Sequence, residues 1–178
     1  MVGRSNPKKL DAEELWNYAL RVLSQRPYSA TELRTKLSRR SVSPQALGEV
    51  LNKLQEYGFA NDQKFSEAFA SARLNNQGFG RLRVLRELRA KRVPKEIAER
   101  AVKKTFADTN ELELVDQFLA RKYRGKDLSA LFQDEKNLAS AYRRLRLAGF
   151  TNSVTLSVLR RYKQDVPDSL ETEEEGEA

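Results

Sequence analysis

The stretch RLRVLRELRAKRVPKEIAERAVKK, Arg81–Lys104, carries the pattern from which the fold of this chain can be read. At 100° per residue, Val84, Leu85 and Leu88 share one stripe, while Arg83, Arg86 and Ala90 fall on the opposite side with Arg89 at its edge. That is an amphipathic helix with its cations turned to water. Pro94, followed by Lys95 and Glu96, marks the start of a second helix. The stretch holds ten bases against three acids, and no other stretch of its length is so biased.

The apolar positions of this segment occur three times. Leu37, Val42, Val50 and Leu51 recur 51 residues later as Leu88, Val93, Ala101 and Val102, and a further 57 residues on as Leu145, Phe150, Val158 and Leu159. Ala46, Ile97 and Val154 also coincide, and upstream Tyr18, Leu23 and Tyr28 lie over Phe69, Leu74 and Phe79. In the first copy Leu33 and Leu37, then Leu47, Val50, Leu51 and Leu54, take helical spacing, and no alternating strand pattern competes. Helix starts are signalled by Ser29 with Glu32, by Ser43 with Pro44 and by Pro94; stops are signalled by Gly58, Gly78 and Gly149. The reading is an all-α protein of three tandem three-helix repeats, which predicts an elongated curved array. Its divisions are a flexible basic N-terminus (1–11), repeats over 12–60, 61–107 and 108–163, and a disordered acidic tail (164–178).

Composition limits the chemistry. Among 178 residues there is no His and no Cys, which removes Ser-His-Asp and Cys-His catalysis, the common zinc clusters and disulfides. No phosphate-binding Gly-rich loop is present, since Gly78-Phe79-Gly80 lacks the pattern. Asn61 and Asp62, with Glu67 beyond them, suit helix capping better than metal ligation, and Glu13, Glu14, Glu111 and Glu113 suit the dipole at helix starts. No cofactor, metal or catalytic group is expected. No apolar run has the ~20 residues of a bilayer span, so a cytoplasmic protein with no membrane contact is expected. After Gln164 come seven acids and no base; set aside, they leave 33 cations facing 18 acids, a charge of +15 on residues 1–164. Such a field attracts polyanions, although a solvated helical surface would have the same composition.

The candidate contacts follow from the repeat. Arg83, Arg86 and Arg89 on the middle helix have counterparts in Arg34, Lys36, Arg39 and Arg40 of the first copy and Arg143, Arg144 and Arg146 of the third. Phosphates or an acidic protein groove would match them. Arg83 is also spaced to pair with Glu87.

Tyr57-Gly58-Phe59-Ala60-Asn61-Asp62-Gln63-Lys64-Phe65-Ser66-Glu67-Ala68-Phe69, then Arg73, then Gly78-Phe79-Gly80 with Arg83, Glu87, Leu88 and Lys91, resembles the RecX family of bacterial RecA regulators. The resemblance spans residues 12–163 and includes Ser29, Glu32, Leu33, Lys36 and Leu37, Arg121-Lys122-Tyr123, and Gly149-Phe150. It implies three tandem three-helix repeats. It further implies a protein that binds the RecA filament on single-stranded DNA and inhibits its ATPase, strand-exchange and coprotease activities, damping recombination, DNA repair and the SOS response; a monomer is expected. On the matched positions it implies filament or DNA contacts at Arg73, Arg83, Glu87 and Lys91; charge alone adds Arg86 and Arg89. The alternative is a protein binding single- or double-stranded DNA without sequence preference. Two positions depart from the family pattern. Arg81 stands where Pro is frequent, and Arg92 stands where Gly is frequent, which puts a side chain at a left-handed helix cap.

Overall fold

The computed structural model describes residues 8–163, so the expected acidic tail and the first seven residues of the expected basic N-terminus lie outside the described residues. Helices dominate: α1 Ala12–Gln25, α2 Ala30–Ser38, α3 Pro44–Glu56, α4 Asp62–Ala72, α5 Arg81–Ala90, α6 Lys95–Thr105, α7 Glu111–Lys122, α8 Leu128–Leu131, α9 Glu135–Ala148 and α10 Asn152–Leu159. Among the described residues there is no β-strand, only an isolated parallel bridge between Leu10 and Ser41.

Local chemistry sets the helix ends. Ser29 caps α2 in a reciprocal box with Glu32, Ser43 caps α3 ahead of Pro44, and Asn61 Oδ1 accepts the Lys64 N–H to cap α4. Gly58, Gly78 and Gly149 follow α3, the turn after α4 and α9 with φ of 70°, 61° and 92°, the left-handed region that glycine enters without a Cβ penalty. Arg92 takes the same conformation, with φ 58°, although it carries a side chain.

Contacts divide the described residues into two compact units. One holds those up to Ala68 with Leu88–Ala98; the other holds Phe69–Glu87 with those from Glu99 on. Each helix of the middle repeat begins in one unit and ends in the other. In the first unit α1, α2 and α3 enclose Leu15, Ala19, Leu33, Leu37, Val50 and Leu54. In the second, α7, α9 and α10 enclose Val115, Leu138, Tyr142, Leu145, Val158 and Leu159, with Phe132 from the turn after α8. Full burial of such side chains is worth roughly 1.5–3 kcal/mol each.

The repeated positions are largely core. Leu37, Leu88 and Leu145 are each 0% exposed, and Val50, Ala101 and Val158 are at most 2% exposed. The longer offset to the third copy is taken up by α8 and by an α9 of 14 residues where α5 has 10. Val42 breaks the pattern: Val93 and Phe150 are buried, but Val42 is 55% exposed. Here the chain entering α1 runs alongside, with Leu10 N–H donating to the Arg40 carbonyl and Val42 N–H to the Leu10 carbonyl, and Leu10 supplies the buried side chain. Residues 8–11 thus belong to the fold of the first unit rather than to a flexible terminus, with Asp11 capping α1.

Candidate partner-binding surface

The segment Arg73–Gln77 continues α4 as one wide π-helical turn, closed by left-handed Gly78. At Gly78 the left-handed φ of 61° disfavours a side chain, and an added Cβ would make the Arg121 guanidinium, which donates to the Gln77 carbonyl at 3.0 Å, move aside. Two residues on, Gly80 lies against Gly149: Gly80 N–H donates to the Ala148 carbonyl at 2.8 Å, Leu82 N–H donates to the Gly149 carbonyl at 3.1 Å, and a Cβ on Gly80 would strike that backbone. The Gly78-Phe79-Gly80 run is therefore a backbone-packing device that joins the start of α5 to the end of α9.

That packing aims Arg73 and Arg83 at one carboxylate. Arg73 Nε stands 2.6 Å from Glu87 Oε2 and Arg83 Nε 2.9 Å from Glu87 Oε1. Each guanidinium also lies over a ring, Arg73 Cζ at 4.7 Å from the centre of Phe69 and Arg83 Cζ at 3.7 Å from that of Phe79. All three charged side chains are about two-thirds or more covered. The i,i+4 pairing expected of Arg83 is present, whereas its expected exposure beside Arg86 is corrected: the Phe79 ring and Glu87 cover it.

A second group forms in the first unit. Lys91 Nζ reaches Glu32 at 3.3 Å, the Lys91 carbonyl accepts the Ser29 hydroxyl at 2.6 Å, and Asp62 accepts the Ala30 N–H at 2.8 Å. Asp62 thus caps the start of α2 rather than its own helix. Among the described residues no group of three His, Cys, Asp or Glu side chains is placed to hold a metal ion. No described helix is long and apolar enough to cross a membrane.

The other candidate cations separate into held and open ones. Arg146, half-buried, donates to the Phe150 carbonyl at 2.8 Å at the end of α9. Arg40 packs its guanidinium over Tyr18, with Cζ 5.1 Å from the ring centre. Arg89 is half-buried. Arg34 and Arg39 are exposed on the first unit, with Lys36 half-buried nearby. On the second, Arg86, Arg143 and Arg144 are exposed; Arg86 Nη2 donates to the Leu147 carbonyl at 3.3 Å, and Leu147 is 66% exposed one helical turn beyond Arg143. Sequence reading missed Leu147, whose only signal is an apolar residue on the charged face of α9. It also missed Glu111, which does more than meet a helix dipole: its carboxylate accepts the Thr151 N–H at 2.7 Å and the Thr151 hydroxyl at 3.2 Å, at the start of α10.

A family model for the second three-helix domain of RecX matches residues 61–102, and one for the first three-helix domain matches residues 16–62. Over 150 residues, 84% of this chain, the sequence is 32% identical to Regulatory protein RecX of Trichlorobacter lovleyi and covers 89% of that protein. The chain belongs to the RecX family. Regulatory protein RecX of Deinococcus radiodurans is 31% identical over 164 residues, 92% of this chain and 76% of the relative. The crystal structure of RecX from Lactobacillus salivarius has the same fold, with a TM-score of 0.63 at 20% identity over 87% of this chain and 98% of that one. The RecX architecture is thus all-α and built of tandem three-helix domains, as the repeat in the sequence had implied.

Proposed function

We propose that this protein is a non-enzymatic inhibitor of the RecA recombinase, binding the RecA filament on single-stranded DNA and suppressing its ATPase, strand-exchange and coprotease activities. Recombination, repair and the SOS response would be damped accordingly. Membership of the RecX family carries this reading, since relatives matched over most of this chain bear the name of a regulatory protein. The open cations Arg34, Lys36, Arg39, Arg86, Arg143 and Arg144 support it, because a partner made of acidic protein or phosphate would neutralise them. In this reading Arg73, Arg83, Glu87 and Lys91 act chiefly by holding the repeats in shape, with Arg89, Arg40 and Arg146 beside them, and contact falls to the open set. The protein works as a cytoplasmic monomer in three repeats, 12–60, 61–107 and 108–163, with contacts to single- and double-stranded DNA.

The open cations equally favour a second reading, a DNA-binding protein without sequence preference. The DNA-dependent ATPase of preformed RecA filaments, with DNA in excess and this protein below RecA stoichiometry, separates the two. Inhibition is expected. Unchanged ATPase together with tight, salt-dependent binding to bare DNA would favour the second reading.

A further inference from the structure

One shallow pocket in the first unit joins the end of α1, the outer side of α2 and the turn between α5 and α6. Its volume is about 270 Å³. It is lined by Arg26, Tyr28, Glu32, Lys36, Arg39 and Arg92 among others. A space of 270 Å³ lies just under the roughly 300–1,000 Å³ of clefts for drug-sized ligands, and suits a small polar group. Its walls are cationic. Four bases line it against one acid, Glu32, and that carboxylate is already engaged by Arg26 at 3.7 Å, Lys91 at 3.3 Å and the Ser29 N–H at 3.3 Å. Arg26 is stacked on the Tyr28 ring, its Cζ 3.6 Å from the centre, and Lys36 Nζ lies 5.6 Å from the same ring. Among the described residues no carboxylate comes within ion-pair distance of Lys36, Arg39 or Arg92.

The independent observation is the backbone of Arg92. It is the one described non-glycine residue with positive φ, at 58°, on a cap where glycine would be unstrained. Strain held at a residue whose side chain lines a cationic pocket points to a use for that side chain. A guanidinium offers forked donors that fit phosphate oxygens, and two more cations converge beside it.

We infer that this pocket binds a phosphate group of single-stranded nucleic acid, with Arg92, Arg39 and Lys36 as its donors and the Arg26–Tyr28 stack as its wall. The inference rests on the reading of the protein as one that works on DNA-bound filaments, and it gives the first repeat its own contact with the strand.

The test uses the full chain and a fluorescein-labelled oligothymidylate without RecA, titrated across a salt series, beside thermal melting. Arg92→Gly relieves the backbone and removes the donor, so it is expected to raise the melting temperature by about 1–3 °C. At the same time it should weaken binding about three- to tenfold and flatten the log K against log salt slope by ~0.7, one phosphate contact on a single strand. Arg39→Gln should weaken binding similarly, without the stabilisation. Competition by sodium phosphate, against sodium sulfate at equal ionic strength, distinguishes the source. Selective displacement by phosphate means that the pocket holds the free ion as well; equal effects of the two salts with both variants weakened mean that it needs the strand. Unchanged affinity and slope in Arg92→Gly would overturn the assignment. If that variant bound DNA normally but inhibited the RecA ATPase less, the pocket would instead meet a protein carboxylate, and the regulator reading would stand without the phosphate site. Failure of the wild-type protein to inhibit RecA would strike the regulator reading alone.

Discussion

Glu87 and Glu32 each gather cations, and the difference between them separates architecture from recognition. Around Glu87, Arg73 and Arg83 take one carboxylate oxygen each and lie over Phe69 and Phe79, so charge and ring faces are matched within the second unit. Around Glu32 the carboxylate is equally occupied, yet Lys36, Arg39 and Arg92 line the same pocket without an acid of their own. Arg73, Arg83, Glu87 and Lys91, which spell the middle stretch of the family motif, are held in ion pairs with one another or with Glu32. The cations left over, including one that departs from the motif, are those available to a partner.

The comparison can be broken first through the buried face of α5. Leu88, 0% exposed, stands on α5 one residue from Glu87, and Leu88→Ala is expected to cost ~2–5 kcal/mol in chemical or thermal unfolding. A loss near zero would mean that α5 has the wrong phase. Glu87→Gln comes next: it leaves two guanidiniums, each about two-thirds covered, facing a neutral amide and should cost about 1–2 kcal/mol, discounted for their partial exposure, with little change in DNA affinity. Arg83→Glu, which puts a carboxylate beside Glu87, should destabilise comparably, whereas Arg86→Glu should leave stability within about 0.5 kcal/mol and weaken partner binding. Equal stability losses from Arg83→Glu and Arg86→Glu would erase the distinction between held and open cations. Smallest is Glu32→Gln. Gln at this capping-box position still reaches the Ser29 N–H but no longer neutralises Lys91 and Arg26, so unfolding should cost up to about 1 kcal/mol, while oligothymidylate binding tightens about two- to threefold, as the one acid in the pocket is gone.

Much of this was legible in one dimension because it is local. Helix phase follows from apolar spacing, and the caps at Ser29, Ser43 and Asn61 follow from side chains that reach only three residues. The left-handed stops at Gly58, Gly78 and Gly149 are equally local, and so is Arg92, where the missing Gly marked the position of the strained cap. What was not legible depends on residues distant in sequence. Leu10 displaces Val42 from its core position from 32 residues upstream, Asp62 caps a helix that begins at Ala30, and Glu111 reaches Thr151. The candidate site suffered most from this. A helical wheel puts Arg83 and Arg86 on one outer face, but only tertiary packing shows that Phe79 and Glu87 cover the first and leave the second open. Likewise Arg34, Lys36, Arg39 and Arg40 read as one basic run, while the fold sends Arg40 onto Tyr18 and collects Lys36 and Arg39 with Arg26 and Arg92.

The most direct test of this division is the ATPase of preformed RecA filaments, measured with wild-type protein, Glu87→Gln and Arg86→Glu at a temperature where circular dichroism shows all three folded. The account predicts inhibition by the wild type, near-equal inhibition by Glu87→Gln, and a loss of potency of about tenfold or more in Arg86→Glu, the scale of a charge-assisted contact of roughly 1.5–3 kcal/mol. Full potency in Arg86→Glu with potency lost in folded Glu87→Gln would contradict it, and would place recognition at the motif carboxylate instead.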